Sequence, residues 1–360
     1  MSAPAGPRKG RGAASNASGR FEAQHREAVD DGWGTQDEPP MPLRTRMEVD
    51  HARSVISYNA SPDVPFDRSI NPYRGCEHGC VYCYARPTHA YLGLSPGLDF
   101  ESRLFHKPDA PEQLARELAA PRYRPQPVCL GANTDPYQPV ERGLRLTRRI
   151  VEVLHGCDHP LRIVTKGALV ERDLELLADM ATRNLVSVSV SVTSLDRQLS
   201  RRLEPRAAAP ERRLESIARL AQAGIPVRVL IAPVIPALND EHLESIMQRA
   251  REAGAGGAGY VLLRLPLEIR DLFVEWLDTH YPLRKEHVMA RVRDSRGGKD
   301  YDAAFGTRMK GTGLFAELLA KRFRLAAKRL GFGPEPELDC SRFRAPVRPR
   351  GPSDRQLSLL

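Results

Sequence analysis

Two hydrophobic periods alternate through the middle of this 360-residue chain. Residues 186–192 alternate valine and serine strictly, the period of a strand whose two faces differ in chemistry. Short apolar runs at 128–131, 161–165, 227–232 and 260–263 predict further strands. Between them, 144–154, 169–180 and 210–222 repeat apolar residues every three or four positions, which predicts helices. Gly224 suits the C-cap of the third, Asn239 is a candidate N-cap for a helix reaching Ala253, and 268–277 is helical in pattern. With a first strand near residue 70, the pattern predicts about six βα units between Ile70 and Arg293. Repeated βα units imply an α/β fold with parallel strands, as an open sheet or a barrel, and chemistry at the carboxyl ends of the strands.

The flanks read differently. Residues 1–56 lack a sustained apolar period and predict a flexible tail, disordered or draped over the surface; 57–295 form the core; 296–360 form a basic extension. Within that extension, 314–330 predicts one amphipathic helix, with Leu314, Leu318, Leu319, Phe323, Ala326 and Leu330 as its apolar stripe. Lys321, Arg324 and Lys328 lie opposite, as a solvated face or a face that tracks phosphates.

Composition narrows the function. A hydrophobic content of 41% supports a buried core, while no run approaches the ~18 uncharged apolar residues of a membrane span. With no apolar signal segment at its start, the chain is expected to be cytoplasmic and to have no membrane partner. The net charge is +9, and residues 281–350, with 17 Lys and Arg against 8 Asp and Glu, hold all of that excess. Arginine-rich basic segments suit phosphate, so a nucleic-acid substrate is one expectation; genomic base composition accounts for the arginines equally well.

Three of the six cysteines fall within eight residues, Cys76, Cys80 and Cys83, in the run Asn71-Pro-Tyr-Arg-Gly-Cys-Glu-His-Gly-Cys-Val-Tyr-Cys-Tyr-Ala-Arg-Pro87. Soft thiolates this close on one loop suit an iron–sulfur cluster, and three ligands leave one metal position open, as catalytic sites do. Zinc with His78 or His89 as a fourth ligand is the competing reading of the triplet alone.

The spacing CxxxCxxC, with aromatic Tyr82 before the last cysteine, resembles the signature of radical S-adenosylmethionine (SAM) enzymes. The runs Asn133-Thr-Asp-Pro-Tyr-Gln-Pro139, Thr165-Lys166, Ser191-Val-Thr-Ser194, Glu204-Pro205 and Ala232-Pro233 resemble the spore photoproduct lyase-like branch of that superfamily, including its bacterial DNA repair photolyase-like members. With these motifs in order, a cluster is the favoured reading over zinc. The resemblance implies a partial (β/α)6 barrel carrying a [4Fe–4S] cluster on Cys76, Cys80 and Cys83. Reductive cleavage of SAM would then give a 5′-deoxyadenosyl radical that abstracts hydrogen from a substrate. Reduced flavodoxin or ferredoxin is the expected electron donor.

The same resemblance implies roles for individual residues. Tyr82 and the main chain of Tyr84 would lie by the adenine, and Thr134 and Asp135 by the methionyl ammonium. Lys166 would meet the methionyl carboxylate, Ser191 the ribose or carboxylate, and Ala232 would allow close approach of the adenine. Thr134 as a turn residue, Lys166 as a solvated cation and Ala232 as packing are the plainer alternatives. In spore photoproduct lyase a cysteine two positions before the hydroxyl residue returns hydrogen to the product radical; here that position is Ala132, which puts the same repair reaction in doubt. Cys129 reads as a small buried hydrophobe, leaving Tyr84, Tyr137 and Cys340 as candidates for hydrogen return or radical relay. A protein or small-molecule substrate, and a non-enzymatic metal-stapled nucleic-acid-binding module, stand as the other readings.

Overall fold

The structure, a computed structural model, describes residues 8–22 and 43–347. Among the described residues ten strands form two sheets. The small sheet pairs β1 (Arg46–Val49) in parallel with β5 (Arg103–His106), and β5 antiparallel with β4 (Tyr73–Arg74). The large sheet has the order β10-β9-β8-β7-β6-β3-β2, from β2 (Ile56–Tyr58), β3 (Arg68–Ile70), β6 (Val128–Leu130), β7 (Leu161–Thr165), β8 (Val186–Ser191), β9 (Val227–Val234) and β10 (Gly257–Leu262). From β3 through β10 every neighbouring pair is parallel, and only the edge strand β2 runs antiparallel. The expected run of βα units is therefore present as six parallel strands, the arrangement of a partial barrel.

Strand alternation sorts the two faces. Leu130, Ile163, Val188, Val190 and Val229 pack into the main core together with Leu154, Leu177, Ile217 and Leu220 from the surrounding helices. The other face carries Cys129, Arg162, Ser187, Ser189, Ser191 and Arg228, in register as Cys129–Arg162–Ser187 and Ser189–Arg228. Serines on the inner face leave the barrel without bulky apolar filling there.

Both flanks pack on this barrel. Of the expected N-terminal tail, residues 8–22 are draped across the carboxyl-end loops, with Arg11, Ala13 and Ala14 buried; residues 1–7 and 23–42 lie outside the described residues. The C-terminal helix Gly313–Leu330 lies on the helix Leu243–Glu252 and on β10, where Phe323 meets Tyr260 with ring centroids 4.9 Å apart. Its buried stripe runs through Ala316, Leu319 and Ala326, whereas Leu314 and Leu318 of the expected stripe are exposed. The stripe turns at Arg322, which leaves the solvent face to pair with Glu244 at 2.7 Å. The chain then crosses the amino-terminal ends of the strands: Asp339 N donates to Asn184 O (2.9 Å) and Arg344 N to Cys157 O (2.8 Å). Residues 348–360 of the basic extension lie outside the described residues. Among the described residues no helix is long and apolar enough to cross a membrane.

Candidate active site

After β4 the chain turns through Gly75 at φ 76°, where a Cβ would sit 2.5 Å from Leu104 Cδ2 and 2.8 Å from Phe100 O, so only glycine fits. The cysteine loop follows. Cys76 N donates to Phe100 O (3.0 Å) and Val81 N to Leu203 O (3.1 Å). Underneath, fully buried Arg86 donates to Cys80 O (2.8 Å), Gly79 O (3.2 Å), Pro96 O (3.0 Å) and Gly97 O (2.8 Å), and pairs with fully buried Glu101. One guanidinium gathering four carbonyls and a carboxylate holds the loop in a single shape.

Cys76 and Cys80 are buried and Cys83 is partly exposed. Burial pushes the Cys76 thiol well up, and so do Asp135 and the other two sulfurs, so the three share one electrostatic space. Burial raises Cys80 and Cys83 as well, and Lys166 offsets part of that rise in both. Each histidine proposed for zinc has one ring nitrogen bonded within the protein, and His89 Nδ1 is buried without a partner among the described residues. His78 Nδ1 lies 3.3 Å from Asp135 Oδ2, and His89 Nε2 lies 2.9 Å from Arg103 O. Among the described residues no three His, Cys, Asp or Glu side chains converge on a position for one metal ion. A donor set of three soft thiols beside a cation suits a multi-iron cluster, whose irons each take a separate thiolate.

Two buried carboxylates frame the space beyond the loop. Asp135 follows β6 and accepts from Thr165 Oγ1 (2.7 Å), Lys166 N (2.6 Å) and Tyr137 N (2.9 Å). Burial alone would raise its pKa, but His78 and these donors outweigh it and hold the carboxyl at about 2. Glu204 accepts from Thr193 Oγ1 (2.5 Å) and the Tyr82 hydroxyl, and pairs with fully buried Arg213. It too is held at about 2 against burial, chiefly by Arg213 and then by Lys166. Asn239 Nδ2 ties the ends of β8 and β9 by donating to Thr193 O (2.7 Å) and Pro233 O (3.0 Å). Lys166 engages both carboxylates: its backbone N–H donates to Asp135 and its charge acts on Glu204, while Nζ reaches Ala232 O at 3.5 Å and stands 5.9 Å from the centre of the Tyr82 ring.

These bonds bring Tyr82, Asp135, Lys166 and Ala232 together around the cysteine loop. Thr134 is close by, its hydroxyl donating to Tyr73 O at 3.0 Å across to β4. Ser191 is buried at the carboxyl end of β8, and its carbonyl accepts from Arg213 Nη1 (3.0 Å). Tyr84 is 47% exposed and donates to Ala132 O, with the Arg264 guanidinium 5.5 Å over its ring. Tyr137 is not with this group: it is buried in the main core and donates to Asp173 Oδ2 at 3.1 Å. Cys340 is at the other end of the barrel, one residue past the Asp339–Asn184 contact. Sequence reasoning missed Thr193, Glu204 and Arg213 as a connected set. The available signal was Arg213, a charged residue on the face of its helix that carries Ile217 and Leu220.

Residues 70–250 match the radical SAM superfamily. The chain belongs to that superfamily. An uncharacterized protein of Mycobacterium tuberculosis is 38% identical over 277 residues, covering 76% of this chain and 79% of its own length. An uncharacterized protein of Methanocaldococcus jannaschii is 28% identical over 171 residues, 48% of this chain and 61% of its own. Among solved structures, spore photoproduct lyase complexed with dinucleoside spore photoproduct aligns with a TM-score of 0.57 at 17% identity, over 79% of this chain and 80% of the other. A variant of the same enzyme with bound SAM and dinucleoside spore photoproduct aligns with a TM-score of 0.57 at 16% identity and the same coverage. Those likenesses establish the shared fold. As a radical SAM protein the chain is an enzyme, and the superfamily's cofactors are a [4Fe–4S] cluster and SAM.

Proposed function

We propose that Cys76, Cys80 and Cys83 hold the [4Fe–4S] cluster and that the surrounding pocket binds SAM for hydrogen-atom abstraction from a nucleic acid. The observation that carries this reading is the three-thiol loop at the carboxyl ends of the strands, facing Lys166 beside the buried anions Asp135 and Glu204. When bound, the cofactors supply the electron and the 5′-deoxyadenosyl radical; the protein supplies binding, orientation and exclusion of competing reactions. Lys166 offers a cation to a carboxylate, and Asp135, an anion at any physiological pH, offers an acceptor to an ammonium. Glu204 with Arg213 fixes Tyr82, whose ring is presented beside Lys166. Reduced flavodoxin or ferredoxin serves as electron donor in this reading.

Support for a nucleic-acid substrate comes from the mouth. Arg264 follows β10, stacks over Tyr84 at 5.5 Å and Tyr301 at 6.0 Å, and donates to Tyr301 OH (3.2 Å). Among the described residues it forms no direct ion pair with a carboxylate, though its charge acts on Asp63, so the guanidinium suits a phosphate while the tyrosines suit a base. Of the three candidates for hydrogen return, Tyr84 is the one at this mouth, bonded to the carbonyl of Ala132.

The test is anaerobic reconstitution with iron and sulfide, followed by dithionite and SAM. Production of 5′-deoxyadenosine and methionine supports the reading, and a brown protein that makes neither overturns it. Salt-sensitive binding of DNA or RNA, with faster 5′-deoxyadenosine release when it is added, supports the nucleic-acid substrate. Stimulation by peptide or small-molecule mixtures alone replaces it.

A further inference from the structure

Residues 11–13 lie directly on the cysteine loop. Gly12 N and Ala13 N donate to the two oxygens of Glu101 at 2.9 and 2.8 Å, and Arg11 Nη1 donates to the Glu101 carbonyl at 2.5 Å. The same carboxylate pairs with Arg86, which holds the carbonyls of Gly79 and Cys80. Contact is close enough that a Cβ at Gly12 would fall 1.7 Å from Gly79 O and 3.3 Å from Val81 N. On the other side of this carboxylate Gly79 has φ 68°, and a Cβ there would lie 2.7 Å from Glu101 Oε2. Two glycines therefore let two stretches of backbone close on one buried carboxylate.

Further along, the segment ties the first βα unit to the last. Leu98 N donates to Ser15 O (3.2 Å), and Ala13 packs with Leu98 and Leu272. Ser15 Oγ donates to Glu275 Oε2 (2.7 Å), and Arg20 pairs with Glu268 (2.6 Å), both beside the helix Ile269–His280 that follows β10. The first and last parallel strands, β3 and β10, do not pair with each other, and residues 8–22 bridge that gap at the end where the cysteines are.

We propose that residues 11–13 are a strap that positions the cysteine loop, so that retention of the cluster depends on Gly12 seating against Gly79. This rests on the cluster assignment above. The strap acts through the Glu101–Arg86 pair on the carbonyls beside Cys80; Arg11, Gly12 and Ala13 are positioning residues. Bulk at position 12 lifts the strap, frees Glu101 from two backbone donors and lets the loop breathe.

The experiment compares reconstituted wild type, Gly12→Ala, Gly12→Val and, as a control at an exposed strap position, Lys9→Ala. Hydrogen exchange over residues 8–22 reports whether the strap has lifted, a ferrous chelator reports iron loss, and electron paramagnetic resonance of the reduced cluster reports its environment. Removing two charge-assisted hydrogen bonds makes iron release at least about tenfold faster in Gly12→Val, with an altered signal and an intermediate rate in Gly12→Ala. Lys9→Ala retains iron like wild type. A purely structural strap would lower the melting temperature of the iron-free chain while leaving iron release and the signal of the loaded chain unchanged, and that result overturns the proposal. Wild type that binds no iron overturns the cluster assignment itself, a distinguishable failure.

Discussion

The two ends of the barrel balance charge differently. At the carboxyl ends the buried charges are matched: Glu204 pairs with Arg213 and Glu101 with Arg86, while Asp135 is ringed by Thr165, Lys166 N and His78. At the amino ends two partly buried arginines share one carboxylate. Arg162 and Arg228 project from β7 and β9 towards Glu335, which pairs with Arg162 and reaches Arg228 electrostatically. Arg162 Nε and Arg228 Nη1 have no partner among the described residues. Chain covers that end: Leu338 is buried there, and Asn184 Nδ2 donates to Glu337 O at 2.8 Å. Buried charge alone therefore does not mark the functional end. What marks it is a cation left accessible next to satisfied anions, as Lys166 is, beside side chains able to take a soft metal.

The sharpest way to break this comparison is through the cysteines. Cys83→Ala should abolish cluster assembly, whereas Cys340→Ala at the opposite end should keep the full iron and sulfide content. Iron retained in Cys83→Ala removes the distinction between the ends. Next in size is the Glu204–Arg213 pair. Removing one partner of a fully buried ion pair leaves an uncompensated charge, so Glu204→Ala should cost about 3–5 kcal/mol of stability by chemical denaturation. Glu335, with its side chain 26% exposed, should cost about 1 kcal/mol when changed to alanine. Equal losses would mean that the lower arginines depend on Glu335 as heavily as Arg213 depends on Glu204.

Lys166→Ala tests whether the accessible cation serves a ligand. A charged hydrogen bond contributes about 1.5–3 kcal/mol, so affinity for SAM should fall by roughly 10- to 150-fold with cluster iron unchanged. Calorimetry on the reconstituted protein reads this directly, and an unchanged affinity returns Lys166 to the role of a solvated cation.

The contrast also explains which parts were legible beforehand. Strand positions were legible because valine alternates with serine and because apolar runs are separated by helical spacing, both local properties. The cysteine triplet was legible because its ligands are local as well. Glu204 and Arg213 meet only through the packing of a helix on β8, and no local pattern encodes that distance. Asn239 has the composition of an N-cap, yet its amide bridges two strand ends, because the chemistry that caps a helix also suits that task. Residues 8–22 read as a tail because close backbone approach requires glycine, alanine and serine, which are also the residues of linkers. The C-terminal stripe was half legible: Leu319 and Ala326 are buried as expected, but the bond from Arg322 to Glu244 is tertiary.

Acid should act on stability in two pH windows. Asp135 and Glu204 are held at about 2 against ordinary values near 4. Their stabilisation is complete above about pH 4 and is lost as pH falls towards 2. His159, under Phe343 at the amino end, is pushed by burial down to about 4 from 6.5, against the pull of Pro160 O. The unfolded chain takes that proton first, so stability falls between pH 6.5 and 4. His89, also held near 4, contributes to the same window from beside the cysteine loop. His159→Gln should flatten part of the decline between pH 6.5 and 4 in melting temperature and leave the decline below pH 4 unchanged. A variant that instead steepens the upper window reverses the sign assigned to His159.

The smallest expected effect concerns the C-terminal helix. Lys321, Arg324 and Lys328 are exposed on its outer face, while the inner face is spent on the helix Leu243–Glu252 and β10. If they grip phosphates, changing all three to glutamine should lower the salt dependence of duplex binding by about 0.9 for each phosphate no longer neutralised, a modest change in affinity at physiological salt. Arg264 differs in kind, because it stands among Tyr84 and Tyr301 at the mouth. Arg264→Gln should lower the slope by about 1 and also slow substrate-stimulated 5′-deoxyadenosine release, since it removes a charge beside the reacting space. A triple variant with an unchanged slope, set against a reduced slope for Arg264→Gln, would place the whole grip at the mouth. The reverse pattern would make the outer helix the binding surface, and Arg264 a residue held by its two tyrosines for packing alone.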